Sequence, residues 1–201
     1  MVQNLSSQPR GRPSNYALDQ VVARATTVFW RDGRESTSVG DLERATGINR
    51  SSLYTSLDGK DGLFERCLEG YVESATSQLI EPALHGVAGV DDLVRLVDAV
   101  SAMLASDDHP AGCFAVRSLL RGEGGAHADR YVASLRAAIS ASLHRAVTLE
   151  ALDAALTAPR AALVEAALLG MLALGRTQGH DPVPLADGLR AQVLAWREGV
   201  S

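Results

Sequence analysis

Cysteine is scarce in this sequence, whose 201 residues include only Cys67 and Cys113. Neither cysteine belongs to a CxxC pair or to a Cys/His spacing, which argues against both a disulfide framework and a zinc site. We therefore expect no metal and no cofactor. Two isolated cysteines are typical of proteins kept reduced, so we expect a cytoplasmic location.

Long apolar runs and aromatic residues are also lacking. No apolar run approaches the roughly 20 residues that span a bilayer, and residues 1–15 are polar, without the apolar centre of a signal peptide. We expect neither a membrane segment nor a leader. Aromatic residues make up 4% of the chain against 46% hydrophobic residues overall, so the core is aliphatic. Abundant alanine and leucine favour an all-α fold.

Positive charge is in deficit over the chain as a whole, with a formal net charge of −5. The deficit is uneven: residues 1–60 carry 8 basic against 6 acidic side chains, whereas residues 61–201 carry 11 against 18. Only the N-terminal part therefore has the sign of charge that suits nucleic acid.

Two short helices joined by a tight turn are predicted within residues 37–54. Ser38 can cap the first helix, and Asp41 follows three residues later, as in a capping box. Gly47 stands where a residue with positive φ ends a helix. Asn49 can cap the second helix.

The second of these helices opens with Arg50, Ser51 and Ser52. Its polar start can meet bases and phosphates, while Ile48 and Leu53 hold its apolar side to the domain. This pattern favours a helix-turn-helix over the alternative, an ordinary helical hairpin with a polar outer face.

Apolar residues recur with the helical period along most of the remaining chain, and no alternating strand pattern occurs. Residues 1–15 are predicted to be a flexible arm. Its Arg10 and Arg12 fit either a minor groove or a solvated tail, and the two interpretations stay open. Beyond the two short helices, helices are predicted over residues 17–31, 60–80, 90–106, 113–120, 126–147, 159–178 and 185–197.

A series of short motifs runs through residues 10–72 in a fixed order and spacing: Arg10-Gly11-Arg12-Pro13, Phe29-Trp30, Thr37-Ser38-Val39-x-Asp41-Leu42, Ala45-Thr46-Gly47-Ile48, Arg50-Ser51-Ser52-Leu53-Tyr54, Lys60-Asp61-Gly62-Leu63-Phe64 and Tyr71. In these motifs the chain resembles the TetR/AcrR family of bacterial transcriptional regulators. A weaker similarity, to a Pro-x-Gly-Cys segment found in one branch of the family, covers residues 109–114.

The resemblance implies an all-α protein with an N-terminal helix-turn-helix domain and a C-terminal bundle. We expect a flexible basic arm at 1–15, the DNA-binding domain at 16–58, and a ligand-binding and dimerisation domain at 59–201, in which 59–81 is the connecting helix. The implied function is a repressor that binds a palindromic double-stranded DNA operator as a homodimer and is released by a small molecule.

Carried over by motif, the recognition helix and its surroundings supply the expected DNA contacts. The family commonly has an aromatic residue or histidine at 56 and phenylalanine at 57, where this chain has Ser56 and Leu57. Leu57 still supplies an apolar plug, whereas Ser56 removes a frequent DNA contact. The expected DNA-binding residues are Arg10, Arg12, Thr37, Ser38, Arg50, Ser51, Ser52, Tyr54, Thr55 and Lys60.

Polar or adaptable side chains within apolar helices are candidates for the ligand pocket. Arg117 stands out, because a guanidinium in an apolar helix either extends to solvent or is available to bind an anion. The candidates are Tyr71, Met103, Cys113, Phe114, Arg117, Tyr131, Met171 and Gln178.

The last two predicted helices are so short of charge that we expect a dimer interface there, the alternative being core helices of a monomer. Gly170 would let two backbones approach closely. The expected interface residues are Leu163, Ala167, Gly170, Leu174, Leu189, Val193 and Trp196.

Three other functions are kept as alternatives, one of which is a DNA-binding protein without ligand control. A redox-sensing regulator would use Cys113 as a reactive thiol, its pKa lowered at a helix start. A small helical enzyme is less favoured, because the five histidines are scattered and no nucleophile elbow or Glu-x-x-His pattern occurs. Residues 107–109, Asp-Asp-His, are interpreted as a solvated turn rather than a metal site.

Overall fold

A computed structural model describes residues 15–175 and 181–199 of the chain. Within those ranges all regular structure is helical and no strand occurs, so the predicted all-α fold is confirmed. The helices are α1 (Asn15–Asp32), α2 (Val39–Thr46), α3 (Arg50–Leu57), α4 (Gly59–Ala75), α5 (Glu81–Leu84), α6 (Val90–Ala105), α7 (Phe114–Leu120), α8 (Gly125–Leu149), α9 (Thr157–Leu174) and α10 (Val183–Ala195).

The first three helices form a small head that is continuous with α4. Helix α1 packs against α2 and α4, and α3 packs against α4. The head is held by apolar side chains that recur with the helical period, among them Phe29, Leu42, Leu53 and Leu63, each fully buried. The head and the bundle therefore share α4 as a common structural element.

The helix predicted over residues 60–80 is interrupted. Helix α4 ends at Ala75, and a π-helical turn, Thr76–Ile80, leads into α5. Ile80 and Ala83, which flank the end of this turn, are both buried. Pro82 falls in the first turn of α5 rather than after a helix end, a position where its missing N–H costs nothing.

The C-terminal bundle is built around α8, which packs against α4, α5, α6, α7 and α9. Helix α10 lies mainly on α6. The core of this bundle is aliphatic, as composition predicts, with Leu93, Leu96, Leu135 and Leu168 almost fully buried.

One buried ion pair fastens the bundle. The Asp92 side chain on α6 has no exposed surface and pairs with Arg145 of α8 at 3.0 Å. Burial by itself would raise the pKa of Asp92, but hydrogen bonds from the Ala88 N–H, Arg95 and Arg145 outweigh it and lower the pKa. Arg145 also donates to the carbonyl of Leu84 at 3.1 Å, so the loop after α5 is tied to the same pair.

Candidate nucleic-acid interface and adjoining cavity

The predicted helix-turn-helix caps are present in the structure. Ser38 caps α2, and its side chain and the Asp41 carboxylate bond reciprocally to each other's backbone N–H groups. The Ser38 hydroxyl and the Ser38 backbone N–H both donate to the Asp41 carboxylate, and these two hydrogen bonds lower the pKa of Asp41. Gly47 ends α2 with φ 74°, and the Asn49 side chain accepts a hydrogen bond from Ser52 N at 2.8 Å. The entry angle of α3 is thus set by local chemistry.

Helix α3 divides cleanly into a buried and an exposed side. Leu53 and Leu57 are buried, so Leu57 does serve as an apolar plug. The polar side chains on the other side are exposed or half-buried: Arg50, Ser51, Ser52, Tyr54, Thr55 and Ser56. An eight-residue helix with this outward row of guanidinium, hydroxyl and phenol groups can hydrogen-bond to phosphates and base edges.

The Tyr54 ring is held in place although 54% of the residue is exposed. It lies over Gly59, the first residue of α4, where a Cβ atom would come within 3.0 Å of the ring. Gly59 has φ +74°, which glycine adopts without strain. A glycine at this position therefore serves both the backbone turn and the tyrosine orientation.

Lys60 is engaged with the backbone of the head. Its Nζ donates to the carbonyl oxygens of Arg34, at 2.9 Å, and Thr37, at 3.1 Å. Thr37 is 1% exposed and its hydroxyl donates to the Gly33 carbonyl at 2.6 Å, so this side chain does not face outward. Ser38 beside it is exposed. Arg10 and Arg12 lie outside the described residues.

The sequence analysis missed the residue that joins the head to the bundle. Glu123, in the turn between α7 and α8, accepts hydrogen bonds at 3.0 Å from the backbone N–H groups of both Arg34 and Glu35. From the same turn, Arg121 donates to the Arg31 carbonyl at 3.3 Å. A single acidic residue in a glycine-rich turn carries no periodic signal that would have singled it out.

The few aromatic side chains concentrate at this junction. All three phenylalanines are in one cluster with Trp30 and Tyr71, in edge-to-face and stacked pairs whose centroids are 4.9–6.0 Å apart. The His109 ring, from the loop before α7, stacks on the Trp30 indole at 4.8 Å with planes 12° apart. The cluster connects α1 and α4 with α7 and with the 106–113 loop.

A cavity of about 410 Å³ opens beside this cluster. Of the candidate pocket residues, Tyr71 and Met103 line it. Cys113, Phe114, Tyr131 and Met171 are fully buried and do not line it, while the Arg117 guanidinium donates to the Ala111 carbonyl at 2.7 Å. Gln178 lies outside the described residues. The cavity is lined by Trp30, Tyr71, Ser74, Ala75, Gln78, Leu79, Ala99, Met103 and His109.

The environment of Cys113 corrects the expectation of a reactive thiol. Cys113 does precede α7, but burial raises its pKa, and the hydrogen bonds that it receives offset this only in part. The Tyr71 hydroxyl donates to its Sγ at 3.2 Å. Burial likewise raises the pKa of Cys67 to about 12. A neutral, enclosed thiol is a poor nucleophile, because the thiolate is the reactive form.

The candidate dimer residues fall into two groups. Leu163 and Leu174 of α9 are 50% and 51% exposed, with Ala167 and Gly170 half-buried between them. Leu189 and Val193 are instead buried inside this chain, where α10 packs on α6. Trp196, in the short 3-10 turn after α10, is also buried, with the Arg160 guanidinium of α9 5.0 Å from its ring centroid. Leu185 and Leu194, which sequence analysis did not select, are the exposed leucines of α10.

The helical stretch Ala154–Leu174 contains no unbroken apolar run near 20 residues, as expected, but its average composition is strongly apolar. It has 21 residues and a mean hydropathy of 1.4, sufficient by length and composition to cross a membrane, and only 22% of its most apolar window is buried. Arg160 and Glu165 interrupt it; Glu165 pairs with Arg136 of α8 at 2.6 Å. An apolar face thus remains uncovered on α9.

Comparisons with known proteins agree with this geometry. The family model described as bacterial regulatory proteins, tetR family, matches residues 21–67. The chain is 32% identical over 110 residues to the HTH-type transcriptional repressor ComR of Escherichia coli K12, covering 54% of this chain and 52% of that protein. It is 28% identical over 119 residues to the repressor BdcR of the same organism, covering 59% and 60%. The chain thus spans between half and two thirds of these curated relatives.

Solved structures show the same fold. A cysteine mutant of the TetR family regulator CifR, complexed with 26-base-pair operator DNA, superposes with a TM-score of 0.65 at 22% identity, over 96% of this chain and 97% of that one. A TetR regulator from Chloroflexus aurantiacus superposes with a TM-score of 0.75 at 17% identity, over 90% and 94%. The similarity to both extends from the head into the bundle.

Proposed function

We propose that the chain belongs, through its N-terminal domain, to the tetR family of bacterial regulatory proteins, and that it is a sequence-specific DNA-binding transcriptional regulator. We propose that it acts as a repressor, and that a small molecule releases it from its operator. The observation that carries the proposal is α3: an outward row of polar side chains on a short helix that is capped at its start and plugged by Leu57 at its end.

The proposed DNA contacts divide by chemistry. Arg50 and Ser51, exposed at the start of α3, are proposed to bind base edges, since arginine binds guanine through two parallel hydrogen bonds. Tyr54 and Ser38 are proposed to bind phosphate. Lys60 is proposed to contribute positive charge near the DNA backbone. It also stabilises the turn between α1 and α2, because its Nζ donates to the carbonyl oxygens of Arg34 and Thr37.

One such head makes few base contacts, so we propose that two copies bind a palindromic site as a homodimer. The uncovered apolar face of α9, with Leu163 and Leu174, supports this, together with Leu185 and Leu194 on α10. Gly170 offers no side chain, and nothing lies within 4 Å of a Cβ built there. A partner helix could therefore approach the α9 backbone closely.

Ligand control would act as a population shift between two arrangements of head and bundle. The cavity at the junction supports this part of the proposal, because its wall includes Trp30 of the head as well as side chains of the bundle. We propose a cytoplasmic regulator without enzymatic activity. The redox alternative is not favoured, because Cys113 is buried and its pKa is raised.

The test is an electrophoretic mobility shift with DNA from beside the protein's own gene, at several salt concentrations. We expect a sequence-specific shift, and Arg50→Ala should relax base preference by about 1–3 kcal/mol of discrimination. Arg66→Ala, at an exposed position on α4, is the matched control and should keep it. If wild-type protein gives no specific shift at low salt, the proposed function is wrong.

The variant Lys60→Ala tests a contact that positions the protein on the DNA backbone, whereas Arg50→Ala tests a contact that reads bases. We expect Lys60→Ala to weaken binding to all sequences alike and to reduce the dependence of affinity on salt by about one counterion. A change in base preference, with the salt slope intact, would contradict the role that we assign to Lys60.

A further inference from the structure

The cavity beside the aromatic cluster is lined almost entirely by uncharged groups. None of its nine lining residues is Asp, Glu, Lys or Arg. A volume of about 410 Å³ suits a small organic molecule. We propose that this cavity is an effector site for an uncharged, planar aromatic molecule with one polar substituent, and that its occupancy acts on α1 through Trp30; this rests on the proposed function.

The lining selects against a charged ligand. An ion that enters the cavity would lose water and find no countercharge, and an unpaired ion is costly to desolvate. His109 is the single ionisable ring with a basic nitrogen there, and its Nδ1 is already 3.0 Å from the Pro110 carbonyl oxygen. By contrast, a groove along α1 and α4 has charged side chains in its lining, namely Asp19, Arg66, Glu69 and Glu73.

Few polar groups of the lining are available to a ligand. The Tyr71 hydroxyl is turned toward Cys113 and is not available to a ligand. Ser74 and Gln78 remain, bonded to each other at 2.8 Å, and they can exchange that bond for one to a polar substituent. The Trp30 Nε1–H is buried with no acceptor among the described side chains and backbone, so a ligand oxygen that reached it would satisfy an unpaired donor.

A flat ligand fits the stacked rings and the polarisable side chain that line the cavity. The ring planes of Trp30 and His109 are nearly parallel, 12° apart, and the two rings form a stacked aromatic pair at the cavity. Met103, with its polarisable thioether, can adapt to a ring placed against it. Dispersion contacts of a ring with these groups need no charge.

Because the cavity lies between the head and the bundle, a bound ligand can affect the position of the head. Trp30 lies near the end of α1, three residues before Gly33, whereas His109 belongs to the bundle. A molecule that touches both binds more tightly to one relative placement of α1 and the 106–113 loop than to another. That difference in affinity is what shifts the population.

The test uses tryptophan fluorescence. Trp30 and Trp196 are the two tryptophans, so in Trp196→Phe the emission comes from Trp30 alone. The probes are three nitroaromatic quenchers with one ring each: neutral 4-nitroanisole, anionic 4-nitrobenzoate and cationic (4-nitrobenzyl)trimethylammonium. We expect saturable quenching by 4-nitroanisole with an affinity about tenfold or more above that of either ion, a difference of about 1.4 kcal/mol.

A blocking variant and its control locate the site. Ala99→Phe, made in the Trp196→Phe background, fills the cavity and should abolish saturable quenching, whereas Ala102→Phe, at an exposed position three residues away on α6, should retain it. If Ala99→Phe does not fold, Gln78→Phe serves the same purpose from the exposed rim. Equal binding of an ion, unsaturable quenching, or quenching that survives the blocking variants would overturn the proposal.

Mobility shifts with 4-nitroanisole then separate this inference from the proposed function. We expect the probe to weaken operator binding by the wild type and not by Ala99→Phe. If DNA binds specifically but Trp30 is not quenched, the effector site is wrong and the regulator stands. If Trp30 is quenched but no DNA is bound, the regulator is wrong and the site stands.

Discussion

Glu123 accepts a hydrogen bond from the backbone N–H of Arg34, 89 residues earlier in the chain, at 3.0 Å. The same carboxylate accepts from Glu35 N, and the residue is only 8% exposed. One side chain of the bundle therefore satisfies two N–H groups that follow the end of α1. Glu123 therefore adds a polar connection between head and bundle to the apolar one that the aromatic cluster makes.

Glu123→Ala should loosen the α1–α2 turn. Two partly buried N–H groups would lose their acceptor, which costs about 1–3 kcal/mol in the free energy of unfolding. Hydrogen exchange should accelerate at the amides of Arg34 and Glu35. Glu123→Gln retains one acceptor oxygen and should give a smaller change. Glu69→Ala, at an exposed position on α4, is the control; equal exchange in both Ala variants would contradict this role.

Gly59→Ala should reduce DNA affinity, and Gly70→Ala should not. A Cβ at Gly59 would press on the Tyr54 ring and would require a left-handed backbone at φ +74°, which costs about 1 kcal/mol. Gly70 lies within α4 with nothing inside 4 Å of its Cβ position, so alanine there should stabilise the helix by about 0.5–1 kcal/mol. Thermal melts and mobility shifts of both variants check this, and intact DNA affinity in Gly59→Ala would count against the placement of Tyr54.

Asp92→Asn should destabilise the bundle and change its response to acid. Because the folded-state pKa of Asp92 is lowered, its contribution is present above the unfolded pKa of roughly 3.9 and is lost as pH falls through the folded value. The variant leaves Arg145 without its anion, at a cost of about 3 kcal/mol near neutral pH. Melting curves between pH 7 and pH 3 should converge with wild type at the acid end. Asp129→Asn, exposed on α8, should follow wild type throughout.

The two thiols should be unreactive in the folded protein. Both cysteines are buried, and burial raises the pKa of each. We expect Ellman's reagent to find almost no accessible thiol until guanidinium is added, while an exposed reference, Ala102→Cys, reacts at once. Peroxide should leave DNA binding unchanged. Rapid labelling of Cys113 in native protein would revive the redox alternative.

A double variant, Leu163→Glu with Leu174→Glu, should convert the protein to a monomer. Both leucines are about half exposed on α9, and two carboxylates on a face that the proposed dimer would bury should oppose association. Val87→Glu, at a residue 81% exposed in the loop before α6, should remain dimeric. Sedimentation equilibrium gives the mass of each. A monomeric wild type would refute the dimer, and recovery only in a detergent-soluble membrane fraction would assign the Ala154–Leu174 face to lipid instead.

The sequence by itself determined the local architecture of the head. Caps, the positive-φ glycine and the apolar spacing act over three or four residues, so Ser38, Gly47 and Asn49 could be assigned before any tertiary contact was known. The all-α class followed equally from helical periodicity and from composition. The helix limits differ chiefly at residues 76–80, where a π-helical turn interrupts the helix that periodicity predicts.

What only the tertiary structure decided depends on residues far apart in the chain. Sequence could not show that Glu123 would meet Arg34, since one carboxylate in a turn has no period. Nor could it tell which apolar residues of the last two helices face inward: Val193 is fully buried whereas Leu194 is exposed, because α6 lies against one side of α10 only. The thiol of Cys113 follows the same rule, since enclosure by the bundle overrides the effect of its place before a helix.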